Sequence, residues 1–318
     1  MTDTMLTDAA ERMFADLCDK ALLDAAEGGA FPAGLWNTVA ESGFHQLAMP
    51  DSGVSLADAF AVVGIAGRHA LPLPLAETLL ANRWLAGSDG LATIGQVLDG
   101  WIVEAPWGRA ADRILGLDPE RGACVVVERS DATEVREGVN LAGEPRDAVP
   151  VPEGAEWIPL LEPAYAYLAL ARAVASAGCL ARVLELTLQY AGEREQFGRP
   201  ISRFQAIQHN LAVMAGETAA AGRAADAALD ALDGDRLELE VAVAKARVGE
   251  AAGVVAEIAH QVHGAMGFTH EHQLHHFTRR AWAWRDEFGN ETHWQRRLGR
   301  HLAAGGADGL WAFIATRG

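Results

Sequence analysis

The chain has 318 residues, half of them hydrophobic, which is long enough for two or three substructures around real cores and places it far from the disordered regime. Its formal net charge of -17, with no basic block to offset it, excludes nucleic acid and anionic membrane surfaces as partners. The same charge says little about a small polyanionic ligand, which a few local groups can hold.

The first residues, "MTDTMLTDAAERMF", are acidic and polar, unlike a signal peptide, and no apolar run approaches the ~18–20 residues of a membrane helix without a charge or proline. The expectation is a soluble, cytoplasmic protein with no membrane partner. Cys18, Cys124 and Cys179 are odd in number, far apart and without C-x-x-C spacing, so they read as small buried apolar residues.

Residues 1–90 read as an N-terminal helical domain: "DAAERMFADLCDKALLDAA", "FPAGLWNTVAESGF", "LADAFAVVGIAGRHA" and "LAETLLANRWLAG" are separated by Gly and Pro, with Asp51 and Ser55 as N-caps. Residues 91–159 change character. "WIVEAPW", "RILGLD" and "ACVVVERS" are short β-prone runs between Gly, Pro and Asp, which predicts a small β-domain. Residues 160–318 predict a C-terminal antiparallel four-helix bundle. Phe204, Ile207, Leu211 and Met214 step by helical intervals; Val241, Ala244, Val248, Ala251, Val255, Ile258 and Val262 form a narrow seam, with "LDGD" as a hairpin turn. The fold class is therefore mainly α with a small β-domain, and the bundle is the expected oligomerisation core.

Two segments carry chemistry. "EREQFGRPI" places Arg194, Gln196 and Phe197 at a helix end that Gly198 and Pro200 break. Arg194 offers a planar donor fork suited to phosphate, although an isolated motif of this length reads first as a solvated arginine beside a packed phenylalanine, and only its context reverses that. In "HQVHGAMGFTHEH" a helix runs into a glycine-bearing loop, where backbone N–H groups around Gly264, Ala265 and Gly267 can approach an anion; the bland alternative is a helix C-cap.

Together on one bundle, these segments resemble the C-terminal domain of the acyl-CoA dehydrogenase family. "WNTVAESGFHQLAMPD" with "ALPLPLAETLLANRWL" is similar to that family's N-terminal helical domain, and "GWIVEAPWGRAADRILGL" to part of its middle β-domain. The resemblance implies FAD shared across a dimer interface. Arg194, Phe197 and Gln205 match positions that contact the adenosine–pyrophosphate part of the neighbouring subunit's FAD. Gln261 and Gly264 match the loop that holds its pyrophosphate, with Ala265 in place of a second glycine.

The pattern then departs from the family. The Thr-Glu-Pro-type segment with Gly-Ser that contacts the flavin ring is missing between Leu91 and Pro159, so the β-domain reads as truncated. The position matching the usual catalytic Glu holds Phe288, followed by Gly289, and the family's other site for the base falls on Leu168. Glu287, Glu291 and Glu162 are the nearest carboxylates, and neither familiar base is present.

The resemblance with these departures implies a short subunit of a heterotetrameric (α2β2) bacterial acyl-CoA dehydrogenase, completing the FAD site of a longer catalytic partner on a bulky acyl-CoA such as a steroid side chain. The alternatives are a self-sufficient homodimer or homotetramer with a displaced Glu base, and a redox-inactive scaffold of the same fold. His272 and His276 have zinc-like i, i+4 spacing but no third ligand at a recognised spacing, so no metal is expected and the histidines read as surface or interface residues. Trp282, Trp284 and Phe288 read as core or interface aromatics. Arg279 and Arg280 resemble a basic pair of the family and receive no catalytic role.

Overall fold

Local sequence signals set the first helices. In the computed structural model, which describes residues 4–87, 90–130, 132–160 and 162–316, the first long helical run is two helices, α1 (Thr4–Leu17) and α2 (Lys20–Glu27). The break comes from Asp19, whose backbone is extended and whose carboxylate accepts the Leu22 N–H at 2.8 Å. A short polar side chain that caps a new helix outcompetes continuation of the old one. After α3 (Ala33–Glu41), Ser55 caps α4 (Leu56–Arg68) by accepting the Asp58 N–H at 3.1 Å, and α5 (Leu75–Trp84) follows. Asp51, expected as a second cap, lies instead in the turn before Ser55 and begins no helix.

Six strands form one mixed sheet: β1 (Ala92–Leu98), β2 (Trp101–Pro106), β3 (Arg113–Asp118), β4 (Ala123–Glu128), β5 (Arg146–Pro150) and β6 (Trp157–Pro159). Their order is β5-β2-β1-β3-β4-β6, with β1 parallel to β3 and the other neighbours antiparallel. The three β-prone runs are β2, β3 and β4. Ile94, Ile102, Ile114 and Leu115 are wholly buried in this sheet.

The remaining helices are α6 (Ala164–Glu193), α7 (Gln205–Asp230), α8 (Leu237–His263), α9 (Leu274–Asp286), α10 (Glu291–Ala304) and α11 (Gly306–Thr316). α6 is the spine of the molecule, packing on α4 along one side and on α7, α8 and α9 along the other. Small residues make the α4–α6 contact close: a Cβ on Gly67 would lie 2.0 Å from the Ala175 carbonyl oxygen, and one on Gly178 would lie 1.9 Å from that of Gly64. By length and composition α6 is apolar enough to cross a membrane, yet 72% of that stretch is buried inside the protein.

α7 and α8 pair through the turn at Leu232–Asp235, and the α8 seam is buried from Val241 to Val262 except at half-buried Ile258. The start of α7 is different. Of Phe204, Ile207, Leu211 and Met214, only Met214 is buried within the protomer.

Candidate functional site

The C-terminal end of α6 and the C-terminal end of α8 open onto one cleft of about 490 Å³. On the α6 side, Arg194 leaves the helix with its N–H still donated to the Tyr190 carbonyl at 2.8 Å. The chain then makes a two-residue hairpin, β7 (Glu195–Gln196) against β8 (Arg199–Pro200). Phe197 and Gly198 both take positive φ at its tip, +53° and +75°, as the twist of such a turn requires. The turn holds the Phe197 ring 93% exposed. Among the described residues, the exposed Arg194 guanidinium makes no hydrogen bond within the chain, so its donor fork is available to a ligand.

On the α8 side, Gly264 ends the helix at φ +58° and ψ −136°, a region essentially reserved for glycine, with its N–H donated to the His260 carbonyl. Gly264, Ala265 and Met266 line the cleft together with Arg194 and Phe197. His263 stacks on Tyr190 with ring centroids 4.4 Å apart. Burial pushes this imidazole down to about 4, so it stays neutral at physiological pH, and its Nδ1 lies 2.7 Å from the Ala259 carbonyl oxygen. Arg194, Phe197, Gly264 and Ala265 thus line one cleft. Gln205, the first residue of α7, and Gln261, in the last turn of α8, are exposed and outside its lining.

A second set of residues lies inside the protein, where α6, the end of α9 and the sheet meet. Phe288 is buried there with φ +54°. Beside it, Arg172 from the middle of α6 donates to Oε2 of Glu287 at 2.5 Å and to Glu77 of α5. Arg146 donates to Oε1 of Glu287 at 2.9 Å, as does Asn140 at 3.1 Å. Burial works to raise the Glu287 carboxyl, but Arg146 and Arg172 outweigh it and hold the group down at about 2. Lys245 donates to the carbonyls of Trp284, Arg285 and Glu287 and fixes the chain at this point. The space left among Gly95, Gln96, Glu104, Arg172, Glu287 and Phe288 is about 10 Å³, room for a water and no more.

Glu162 is claimed by Arg83, with the closest contact at 2.5 Å, and by the Trp84 indole at 2.8 Å. Burial favours its neutral form, yet those donors pull its carboxyl below the usual range. Glu291 pairs with Arg285 at 2.9 Å. Leu168 is a core residue, 1% exposed. The three carboxylates are therefore in three different ion pairs and do not converge on a common space.

The ionic interior continues toward α2. Arg280, wholly buried, donates to Glu144 and Glu27, and Glu27 also meets His276 Nδ1 at 2.7 Å. Two histidines expected at the surface or an interface are accordingly in the interior: His276 is 0% and His275 8% exposed. The reason is that Glu27, at the end of α2, reaches α9 as a largely covered acceptor for His276 and Arg280. Charged residues interrupting apolar helices, Glu77 in α5 and Arg172 in α6, were the available sequence signal for this network.

Comparison with known proteins bears on both regions. Residues 164–301 match the family model "Acyl-CoA dehydrogenase, C-terminal domain". Acyl-CoA dehydrogenase FadE34 of Mycobacterium tuberculosis is 32% identical over 297 residues, covering 83% of this chain, which spans 41% of that relative. Acyl-CoA dehydrogenase IpdE2 of the same organism is 29% identical over 275 residues, covering 80% of this chain and 82% of the relative. The fold is shared with a chain of the ChsE4-ChsE5 complex from Mycobacterium tuberculosis, at a TM-score of 0.85 and 21% identity over 95% of this chain and 98% of that one.

Proposed function

Because this chain belongs to the acyl-CoA dehydrogenase family, we propose that it is a subunit without its own catalytic base, which completes the FAD site of a longer catalytic partner in a heterotetramer. The observation that carries this reading is the contrast between the two regions. The cleft at Arg194 and Gly264 is open at about 490 Å³, whereas the space beside Phe288 measures about 10 Å³ and is walled by ion-paired Glu287 and Arg172.

The fit to FAD is correspondingly divided. An available guanidinium in one cleft with a glycine-shaped backbone turn suits the pyrophosphate, and the exposed Phe197 ring suits the adenosine end. The interior beside Phe288 cannot take the three-ring flavin. Bound in the assembled site, FAD would supply the acceptor for hydride from an acyl-CoA thioester, and this chain would contribute binding and orientation only. Arg194 anchors charge, Gly264 sets the loop, and Phe197 covers apolar surface.

The half-covered start of α7, with Phe204, Ile207 and Leu211, and the exposed Phe197 and Phe268 lie beside this cleft and suit burial against another subunit. The fold shared with a chain of a two-protein complex supports a heteromeric arrangement. A self-sufficient homomeric enzyme needs Glu287, Glu291 or Glu162 to reach substrate, and each is held in an ion pair. Glutamine at all three positions separates the readings. Turnover per folded complex survives if the partner supplies the base, and collapses if one of these groups does.

A further inference from the structure

Asp24 on α2 meets His275 and His276 on α9, each offering one ligand atom, all within 4.8 Å of one another. Their neighbours decide which nitrogens are free. His275 Nδ1 lies 2.7 Å from the His272 carbonyl oxygen, which only accepts, so this nitrogen carries the proton. His276 Nδ1 lies 2.7 Å from Oε1 of Glu27, an ionised carboxylate, so it too is the donor. In both neutral rings Nε2 is then left as a lone pair. A carbonyl or carboxylate on one ring nitrogen is the arrangement that orients an imidazole for coordination through the other.

The atom that singles out this cluster is His276 Nε2. Its ring is wholly buried, the nitrogen makes no hydrogen bond among the described residues, and Asp24 Oδ1 stands 3.2 Å away. With Nδ1 protonated, two lone-pair atoms face each other across that gap. Tetrahedral coordination with bonds of about 2.0–2.1 Å to nitrogen and oxygen sets donors roughly 3.3 Å apart, the spacing already present between His276 Nε2 and Asp24 Oδ1, while the His275 nitrogen, within 4.8 Å of both, closes in on binding.

We propose that Asp24, His275 and His276 bind a divalent transition-metal cation of the zinc class, with water in the fourth position, clipping α2 of the N-terminal helices to α9 of the bundle. The surrounding charges modulate it. Lys20 shares Asp24 through Oδ2 at 2.5 Å and opposes the cation, while Glu27 favours it but is partly neutralised by Arg279 and Arg280.

The test is a zinc titration of the chelator-treated full chain against a chromophoric competitor, with thermal melting in parallel. Expected are one equivalent per chain, a melting temperature raised by zinc, and affinity weakened by about tenfold or more in Asp24→Asn and in His275→Gln, the loss typical when a metal site is disturbed. Lys20→Met, at a half-exposed position, binds zinc more tightly. Absence of stoichiometric binding, or binding unchanged in both Asp24→Asn and His275→Gln when circular dichroism shows them folded, overturns the proposal.

Discussion

Arg172 Nε donates at 2.5 Å to Glu287 Oε2, so a guanidinium from the middle of α6 and a carboxylate from the end of α9 share the interior immediately before Phe288. In place of a group free to take a proton, this position holds one whose charge is already committed. Arg172→Met leaves Glu287 and Glu77 buried with less compensation, and the expected cost is about 3–5 kcal/mol. A lower urea midpoint at unchanged slope registers it. Adding Glu287→Gln to the same chain recovers part of the loss, and an Arg172→Met chain as stable as the parent contradicts the account of the interior.

Acid should undo the same network. Burial opposes ionisation of Glu287 and Glu27, but Arg146 and Arg172 in one case, and His276 and Arg280 in the other, hold both carboxyls at about 2 against an unfolded value of 4.5. A folded pKa below the unfolded one means that the unfolded chain binds more protons between them. Stability from these groups is complete above about pH 5 and is lost as pH falls through 4.5 toward 2. Urea midpoints between pH 7 and pH 3 should decline steeply for the parent and less for Glu287→Gln.

Arg194→Ala should separate assembly from stability. The side chain is exposed at a helix end, so the isolated chain should change by no more than about 0.5 kcal/mol. The assembled complex should bind flavin about tenfold more weakly or worse, read by equilibrium dialysis of FAD. Unchanged flavin occupancy in the complex removes the assigned role.

Gly264→Ala tests the α8 side of the cleft. An added Cβ meets nothing within 4 Å, so crowding is not the issue, but φ +58° with ψ −136° is costly for alanine by about 1–3 kcal/mol. The loop is expected to relax, lowering both melting temperature and flavin affinity of the complex. Alanine at exposed Leu98, which lies outside the cleft, should affect neither by a comparable amount.

The bundle was legible because α8 repeats its buried positions at helical intervals from Val241 to Val262, and the cleft because Gly198, Pro200 and Gly264 punctuate helix ends. Other features depended on partners distant in sequence. β1 contains Gly95, and β5 and β6 are short and end in proline, so their strand character comes from pairing with β2, β3 and β4. The break between α1 and α2 rested on one capping aspartate inside an otherwise helical run. The burial of Arg172, Arg280 and His276 could not be read from spacing, because Glu287, Glu144 and Glu27 reach them from 115, 136 and 249 residues away.

On the proposed reading, this chain supplies part of an FAD site without holding the flavin itself. The most direct measurement is the visible absorption spectrum together with the native mass, first of the chain purified alone and then after co-expression with a longer acyl-CoA dehydrogenase encoded beside it. A colourless chain that becomes a yellow heterotetramer only with the partner is the predicted result. Stoichiometric FAD on the chain alone contradicts it, and would mean that the interior beside Phe288 opens to admit the flavin.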